Sequence, residues 1–191
     1  EIGTSLLPST KYYWKVKGLA TFEVDMWSDL WSFTTEAPKF LLHDNGVTIT
    51  CSDAEIGESG IINGITYTKR SKDQITSENA STTCTSGITD MSSLFEGASS
   101  FNGDISHWDL SSVTNIARIF SGALNFNQNI EIWDVSNVIY MTSMFFGAMD
   151  YNQDLSNWCV YRFDSEPTGF WDTTSDWILP KPNWGTCPAA P

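Results

Sequence analysis

Positive charge is scarce in this sequence. Ten Lys and Arg face 23 Asp and Glu, which leaves a formal net charge of −13. Such a surface repels a phosphate backbone and anionic headgroups alike, so nucleic acid is not expected as a partner. There is also no run of about 18 apolar residues, so no segment reads as membrane-spanning, and no basic stretch leads into an apolar one as in a signal peptide. The chain opens at Glu1, within what reads as a domain, and is taken as a piece of a longer protein whose upstream signal would lie out of view. Histidine is nearly missing: His43 and His107 fall in different modules, which leaves no base for a Ser-His-Asp nucleophile. With no glycine-rich phosphate loop, zinc spacing or cofactor lysine, the sequence predicts no catalytic residue, no metal, no cofactor and no enzyme activity.

What is present is enough to build a core, with 41% hydrophobic and 14% aromatic residues. Four cysteines, Cys51, Cys84, Cys159 and Cys187, are widely spaced and read as disulfides rather than a zinc site. Three connectivities are open. Position favours Cys51 with Cys84 and Cys159 with Cys187, because each pair brackets one flank of the feature described next, and such bridges imply an oxidising compartment.

That feature is an internal repeat. From Ile88 the chain reads ITDMSSLFEGASSFNGDISHWDLSS, from Val113 VTNIARIFSGALNFNQNIEIWDVSN, and from Val138 VIYMTSMFFGAMDYNQDLSNWCV, at an offset of 25. Apolar columns run through Ile88, Val113 and Val138, through Met91, Ile116 and Met141, through Leu94, Ile119 and Met144, and through Phe95, Phe120 and Phe145. Aromatic columns follow at Phe101, Phe126 and Tyr151 and at Trp108, Trp133 and Trp158. Free variation between the columns is what stacked rungs with one buried side should show. The spacing of 88, 91, 94 and 95, ahead of Gly97, predicts a helix of about two turns in each copy. Residues 105–110 predict one short strand per copy, paired in parallel with the next.

Asn102, Asn127 and Asn152 recur behind the aromatic column and read as structural. A calcium ladder along Asp104, Asn129 and Asp154 is disfavoured, because Asn129 removes charge and no liganding spacing fits. His107 aligns with Ile132 and Asn157, so the position reads as exposed and tolerant. After Val160 the pattern gives way to a proline-rich end. Trp171, Trp177 and Trp184 there are candidate ligand-facing aromatics, although packing the cap onto the last rung explains them too.

The run MSSLFEGASSFNGDISHWDLSSVTNI and its sister copies resemble the BspA-like leucine-rich-repeat surface proteins of bacteria. The flanks ITCSDAEIGESGIINGITYTKR and SNWCVYRFDSEPTGFWDTTSDWILPKPNWGTCP look like segments that bracket such arrays. The resemblance implies a secreted or cell-surface protein with an adhesive role and no assigned enzyme chemistry. In residues 1–37, Leu6-Leu7-Pro8-Ser9-Thr10-Lys11-Tyr12 with Tyr13-Trp14-Lys15-Val16 looks like the tyrosine corner and F strand of a fibronectin type III domain, and Trp31-Ser32-Phe33-Thr34-Thr35 like its G strand. Together the two resemblances look like exported proteins of the Bacteroidota, many of which leave through the type IX secretion system.

The expected fold is therefore an α/β repeat, a short leucine-rich-repeat-like solenoid with disulfide-stapled caps, preceded by a partial β-sandwich. The expected order is fibronectin-like strands at 1–37, a linker at 38–46, an N-terminal β cap at 47–87, three repeats at 88–160, and a C-terminal cap and linker at 161–191. The expected function is non-catalytic adhesion or recognition outside the cell, with a carbohydrate-binding module on an upstream degradative enzyme as the alternative. Its partner would be an extracellular protein or glycan, or secretion and surface-anchoring machinery.

Overall fold

The structure is a computed structural model that describes residues 7, 9–14, 31–34, 36–172 and 176–188. The chain divides into two compact units, Glu1–Pro38 and Lys39–Pro191.

In the first unit, β-formers pair β1 (Lys11–Trp14) antiparallel with β2 (Trp31–Thr34), Lys11 opposite Thr34. The Tyr12 ring stacks on Phe33 at 5.5 Å, and the Leu7 N–H donates to the Tyr12 hydroxyl. Leu6, Pro8, Lys15, Val16 and Thr35, all part of the expected F and G strands, lie outside the described residues. What is described is a two-stranded ribbon, which falls short of a fibronectin type III sandwich.

The second unit opens with β3 (Leu41–Leu42) against β4 (Ile49–Thr50), then a small sheet in the order β5 (Ser59–Ile62), β6 (Ile65–Lys69), β7 (Thr83–Cys84). Asn63 and Gly64, at φ 51° and 81°, supply the two left-handed residues that turn β5 back onto β6. β7 then joins β6 in parallel. Phe40, Ile49, Ala54, Tyr67 and the Cys51–Cys84 disulfide form the core of this segment, and both cysteines are fully buried. A Cβ on Gly60 would lie 2.5 Å from the Phe40 ring, so strand β5 passes this ring with no side chain between them.

From residue 85 onward, the described chain is made of turns and loops joined by isolated parallel bridges, Asp90 to Asn115, Asn115 to Tyr140 and Phe145 to Trp171. The expected α-helix per copy is not there, nor is a strand at 105–110, and all seven described strands precede residue 85. The α/β leucine-rich-repeat solenoid read from the sequence is thus incorrect. The backbone shows why no helix forms. Ser93, Arg118 and Ser143, at equivalent places in the three copies, take left-handed conformations with φ 58°, 59° and 55°, which no α-helix accommodates. Alternate N–H groups then leave the local turn altogether. Those of Met91, Ser93, Phe95 and Gly97 donate to the carbonyls of Asn115, Ala117, Ile119 and Ser121 in the next copy. The intervening Leu94, Glu96 and Ala98 close turns onto Met91, Ser93 and Phe95. The second copy repeats this toward the third: Ile116, Arg118, Phe120 and Gly122 donate to Tyr140, Thr142, Met144 and Phe146.

These bonds stack the copies, and the columns seen in the sequence become ladders of side chains. Phe95 lies over Phe120 at 6.0 Å, Phe101 over Phe126 at 5.7 Å, and Trp108 over Trp133 at 6.2 Å, with rings within 3° of parallel. Each of the three repeat Trp side chains donates its indole N–H backward: Trp108 to the Ala80 carbonyl, Trp133 to Ile105 and Trp158 to Ile130. The buried indole is thereby satisfied while its ring fills the core.

The periodicity does not stop at Val160. Phe163 and Phe170 stand 25 positions after Val138 and Phe145. The Phe163 N–H closes the same turn as Val138, and Phe170 is fully buried with its carbonyl accepting the Phe145 N–H. Residues 163–172 are a partial fourth copy. The Cys159–Cys187 disulfide ties the segment beyond it back to the third.

Candidate functional site: the asparagine face of the stack

One side of the stack is organised by side-chain amides. The Asn102 Oδ1 accepts the Asn127 N–H at 2.9 Å, and the Asn127 Oδ1 accepts the Asn152 N–H at 2.9 Å. Asn152 Oδ1 receives the N–H groups of Ile178 and Leu179, both at 3.0 Å. Gln128 and Gln153 reinforce the ladder, each donating Nε2 to the Asn carbonyl and Oδ1 of the preceding copy. A backbone N–H can only donate, so the atom that receives it must be the amide oxygen, and the orientation of each Asn is fixed. The −NH2 ends of Asn102, Asn127 and Asn152 have no partner among the described residues.

These three residues line a groove of about 430 Å³ together with Asn125, Met149, Asp150 and Asp176. Asn125 and Asp150 form a second column of their own, 25 positions apart, as do the exposed Leu124 and Met149. The groove thus offers amide donors, carboxylate and amide acceptors and an apolar edge, and no Lys or Arg lines it. The structural role read for the Asn column is what the oxygens perform, each accepting backbone N–H from the next segment, and the donor end of each amide is left over. The signal was in the sequence: an amide ladder uses one end of each side chain and leaves the other free at the same spacing.

The three Trp residues of the C-terminal cap are placed differently from one another. Trp177 is 4% exposed, lies edge-on against Phe145 and Tyr151, and donates Nε1 to the Gln153 carbonyl. Trp171 is half-buried, with the Lys181 ammonium 4.0 Å from its ring centre. Trp184 is half-buried, edge-on to Phe163 and Phe170. All three are packed on the aromatic core, and they do not line the asparagine groove.

His107 also differs from expectation. It is 6% exposed, its Nε2 bonds the Thr83 carbonyl at 2.9 Å, and its ring sits 5.0 Å from Tyr67. Burial pushes its pKa below the usual value, against the opposing pull of the Thr83 carbonyl and Asp104. Sequence equivalence misled because Ile132 and Asn157 have no N-terminal cap over them and stay exposed. A second buried polar cluster lies beside it. The Cys51 N–H donates to Ser86 Oγ at 2.9 Å, and Ser86 donates to Asp109 Oδ2 at 2.5 Å. Asp109 also exchanges two backbone bonds with the Thr85 hydroxyl. These contacts fasten the first disulfide to the first copy.

A larger opening of about 640 Å³ between the β5–β7 segment and the first copy contains Lys69, Arg70 and Lys72 beside Glu55, Asp73 and Asp90. Its cations are engaged. Lys69 donates to the Ser52 and Ala54 carbonyls, Arg70 to Thr82 and Thr83, and Lys72 to Asp90 and Ser92. Among the described residues no group of three or more His, Cys, Asp or Glu is placed to hold a metal ion, and no helix is long and apolar enough to cross a membrane.

The class defined by these features is a stack of 25-residue turn repeats, closed at one end by a small disulfide-linked β segment and at the other by an irregular disulfide-linked one. Residues 65–176, more than half of the chain, match the family described as "Mycoplasma protein of unknown function, DUF285", and the chain belongs to that family. This match corrects the resemblance to BspA-like leucine-rich-repeat proteins, and it does not reach the fibronectin-like segment. No curated protein and no solved structure matches the chain significantly.

Proposed function

We propose that this chain is a non-catalytic recognition module that works outside the cell, held at the surface or released from it. The observation that carries this reading is the pair of disulfides, Cys51–Cys84 and Cys159–Cys187, one at each end of the stack. Bonds of this kind persist in oxidising compartments and are rare in a reducing cytosol. The stack between them supports the same reading. Its interior is a continuous ladder of aromatic rings, which makes a stiff support, and its polar groove is formed by side chains held in register from copy to copy. Rigid placement of this kind lowers the ordering cost of binding a ligand. The buried His107, Ser86 and Asp109 have structural partners, which fits a scaffold role for them.

The test uses the chain isolated from its own cells with thiols blocked at lysis. Mass mapping without reductant is expected to give both linked peptide pairs, and protease added to intact cells is expected to cleave the chain, unless it is recovered from the medium. Free thiols at all four positions, with full protection from protease in intact cells, would refute the reading.

A further inference from the structure

We propose that the asparagine groove is a binding site for an extended, neutral glycan, laid along the stack axis with about one sugar ring per copy. This deepens the extracellular-recognition reading and rests on it.

The argument starts from the donors. Asn102, Asn127 and Asn152 each spend their Oδ1 on the backbone of the following segment, which fixes the −NH2 end of each amide on the side away from that bond. The result is three amide groups, two N–H donors each, repeated at the spacing of the copies and lining one groove. The residues that precede these Asn place their ring centres 5.7 Å apart from Phe101 to Phe126 and 5.6 Å apart from Phe126 to Tyr151, which sets the scale of the step between copies. A ligand that satisfies all three must present acceptors at that period. An extended peptide repeats its same-side carbonyls every two residues, about 6.6–6.8 Å, and slips out of register by about 1 Å per copy. In an extended β-1,4 glycan each ring is turned over relative to the last, so one edge of the chain presents ring and O6 oxygens and then O2 and O3 hydroxyls in alternation. This still places an acceptor at every pyranose, a shorter step than the same-side repeat of the peptide.

The other lining groups fit the same class. Asn125, Asp150 and Asp176 supply acceptors for sugar hydroxyls. Exposed Met149 in the lining gives an apolar edge for the C–H face of a ring. With two carboxylates and no cation along the groove, uronic or sulfated sugars are repelled. The volume, about 430 Å³, is within the range of small-ligand sites.

The experiment is calorimetric titration of the full chain, both disulfides formed, with neutral β-1,4-linked oligosaccharides of increasing length and a uronic acid series as comparison. Affinity is expected to rise with length and level off once the three amides are spanned, with the uronic series blank. Asn127→Asp keeps the oxygen that accepts the Asn152 N–H and removes the donor, so it is expected to weaken binding at least about tenfold with an unchanged melting temperature. Asn125→Ala, whose side chain has no bond among the described residues, is expected to weaken binding as well and covers the case in which the first variant misfolds. Blank titrations with every neutral oligosaccharide, or wild-type affinity in both variants, would overturn the glycan site. That result, with the disulfides mapped and the chain exposed on cells, leaves the extracellular reading standing; free cysteines in the native chain sink both.

Discussion

Tyr151 sits in a column whose other members are Phe101 and Phe126, and its ring lies 5.6 Å from Phe126 at 3° from parallel. The ring is therefore held as a phenylalanine would be, but it carries a hydroxyl that is buried and has no hydrogen-bond partner among the described residues. A buried donor left unmade costs about 1–3 kcal/mol, and removing it leaves a ring of the same shape with one atom less. Tyr151→Phe should therefore raise stability, by about 1 kcal/mol once the lost packing of one oxygen is subtracted. The assay is urea unfolding of both proteins with disulfides intact, compared at the midpoint because the slope should not change. An alkaline series gives an independent readout. Burial pushes the Tyr151 pKa well above the ordinary tyrosine value, so the native state keeps its proton where the unfolded chain has lost it. Stability from this group is full below about pH 10 and declines as pH rises through the unfolded value toward the raised native one. Tyr67, also raised by burial, contributes to both proteins, so the difference between their alkaline slopes isolates Tyr151. A midpoint lowered by the equivalent of about 1 kcal/mol or more, with the alkaline slopes equal, would refute the reasoning and mean that the hydroxyl is satisfied.

Two further outcomes follow from the core. Trp133→Ala removes a side chain that is 3% exposed, stacked on Trp108 and bonded to the Ile105 carbonyl, and should cost about 3–5 kcal/mol in denaturant unfolding; a loss under about 1 kcal/mol would mean the ladder is not core. His107, with its pKa lowered by burial, favours the neutral ring in the native state, so its contribution is full above about pH 6.5 and is lost as pH falls through that value toward the lowered native one. The unfolding midpoint of the wild type should drop over this window and that of His107→Gln should drop less, while identical acid profiles would show that the ring is solvated.

The buried columns were legible in the sequence because an offset of 25 without insertions forces equivalent residues into equivalent environments, and Val113, Ile116, Phe120 and Phe126 are all fully buried. The backbone was not. Apolar residues at 88, 91, 94 and 95 have helical spacing, but closed turns with a left-handed residue at Ser93 produce nearly the same spacing. A helix spends its N–H groups four residues back; here alternate ones go to another copy, which no local pattern reveals. Residues at the ends were misread for a related reason. His107 is covered by the N-terminal segment, whereas Ile132 and Asn157 are not, so three aligned positions have different neighbours. The partial fourth copy was hidden because Glu166 and Gly169 replace the apolar Met141 and Met144 while Phe163 and Phe170 keep the register.

The non-repeating ends and the disulfides have one physical cause. An interior copy hands its outward N–H groups to the copy that follows, so a terminal one has no such partner and must find substitutes. The third copy keeps part of the ladder, giving the Ser143 and Phe145 N–H groups to Thr168 and Phe170 of the partial fourth copy, and finds its other partners one by one. The Gly147 N–H, whose counterparts Gly97 and Gly122 donate to the next copy, goes to the Asp172 carboxylate, and the Asn152 amide oxygen accepts from Ile178 and Leu179. At the other end the Trp108 indole reaches the Ala80 carbonyl, which stands where Ile105 stands for Trp133. Each substitute is a single contact from a segment that lacks the repeating ladder, and ordering such a segment costs conformational entropy that the ladder does not offset. A disulfide lowers that cost in the unfolded chain: in the chain-entropy model a loop of this length is worth roughly 3–4 kcal/mol. Cys51–Cys84 and Cys159–Cys187 close loops of 33 and 28 residues over the two places where periodicity fails. The placement of the two disulfides thus follows from the repeat itself, because a stack this short has two ends to close and few interior copies to hold them.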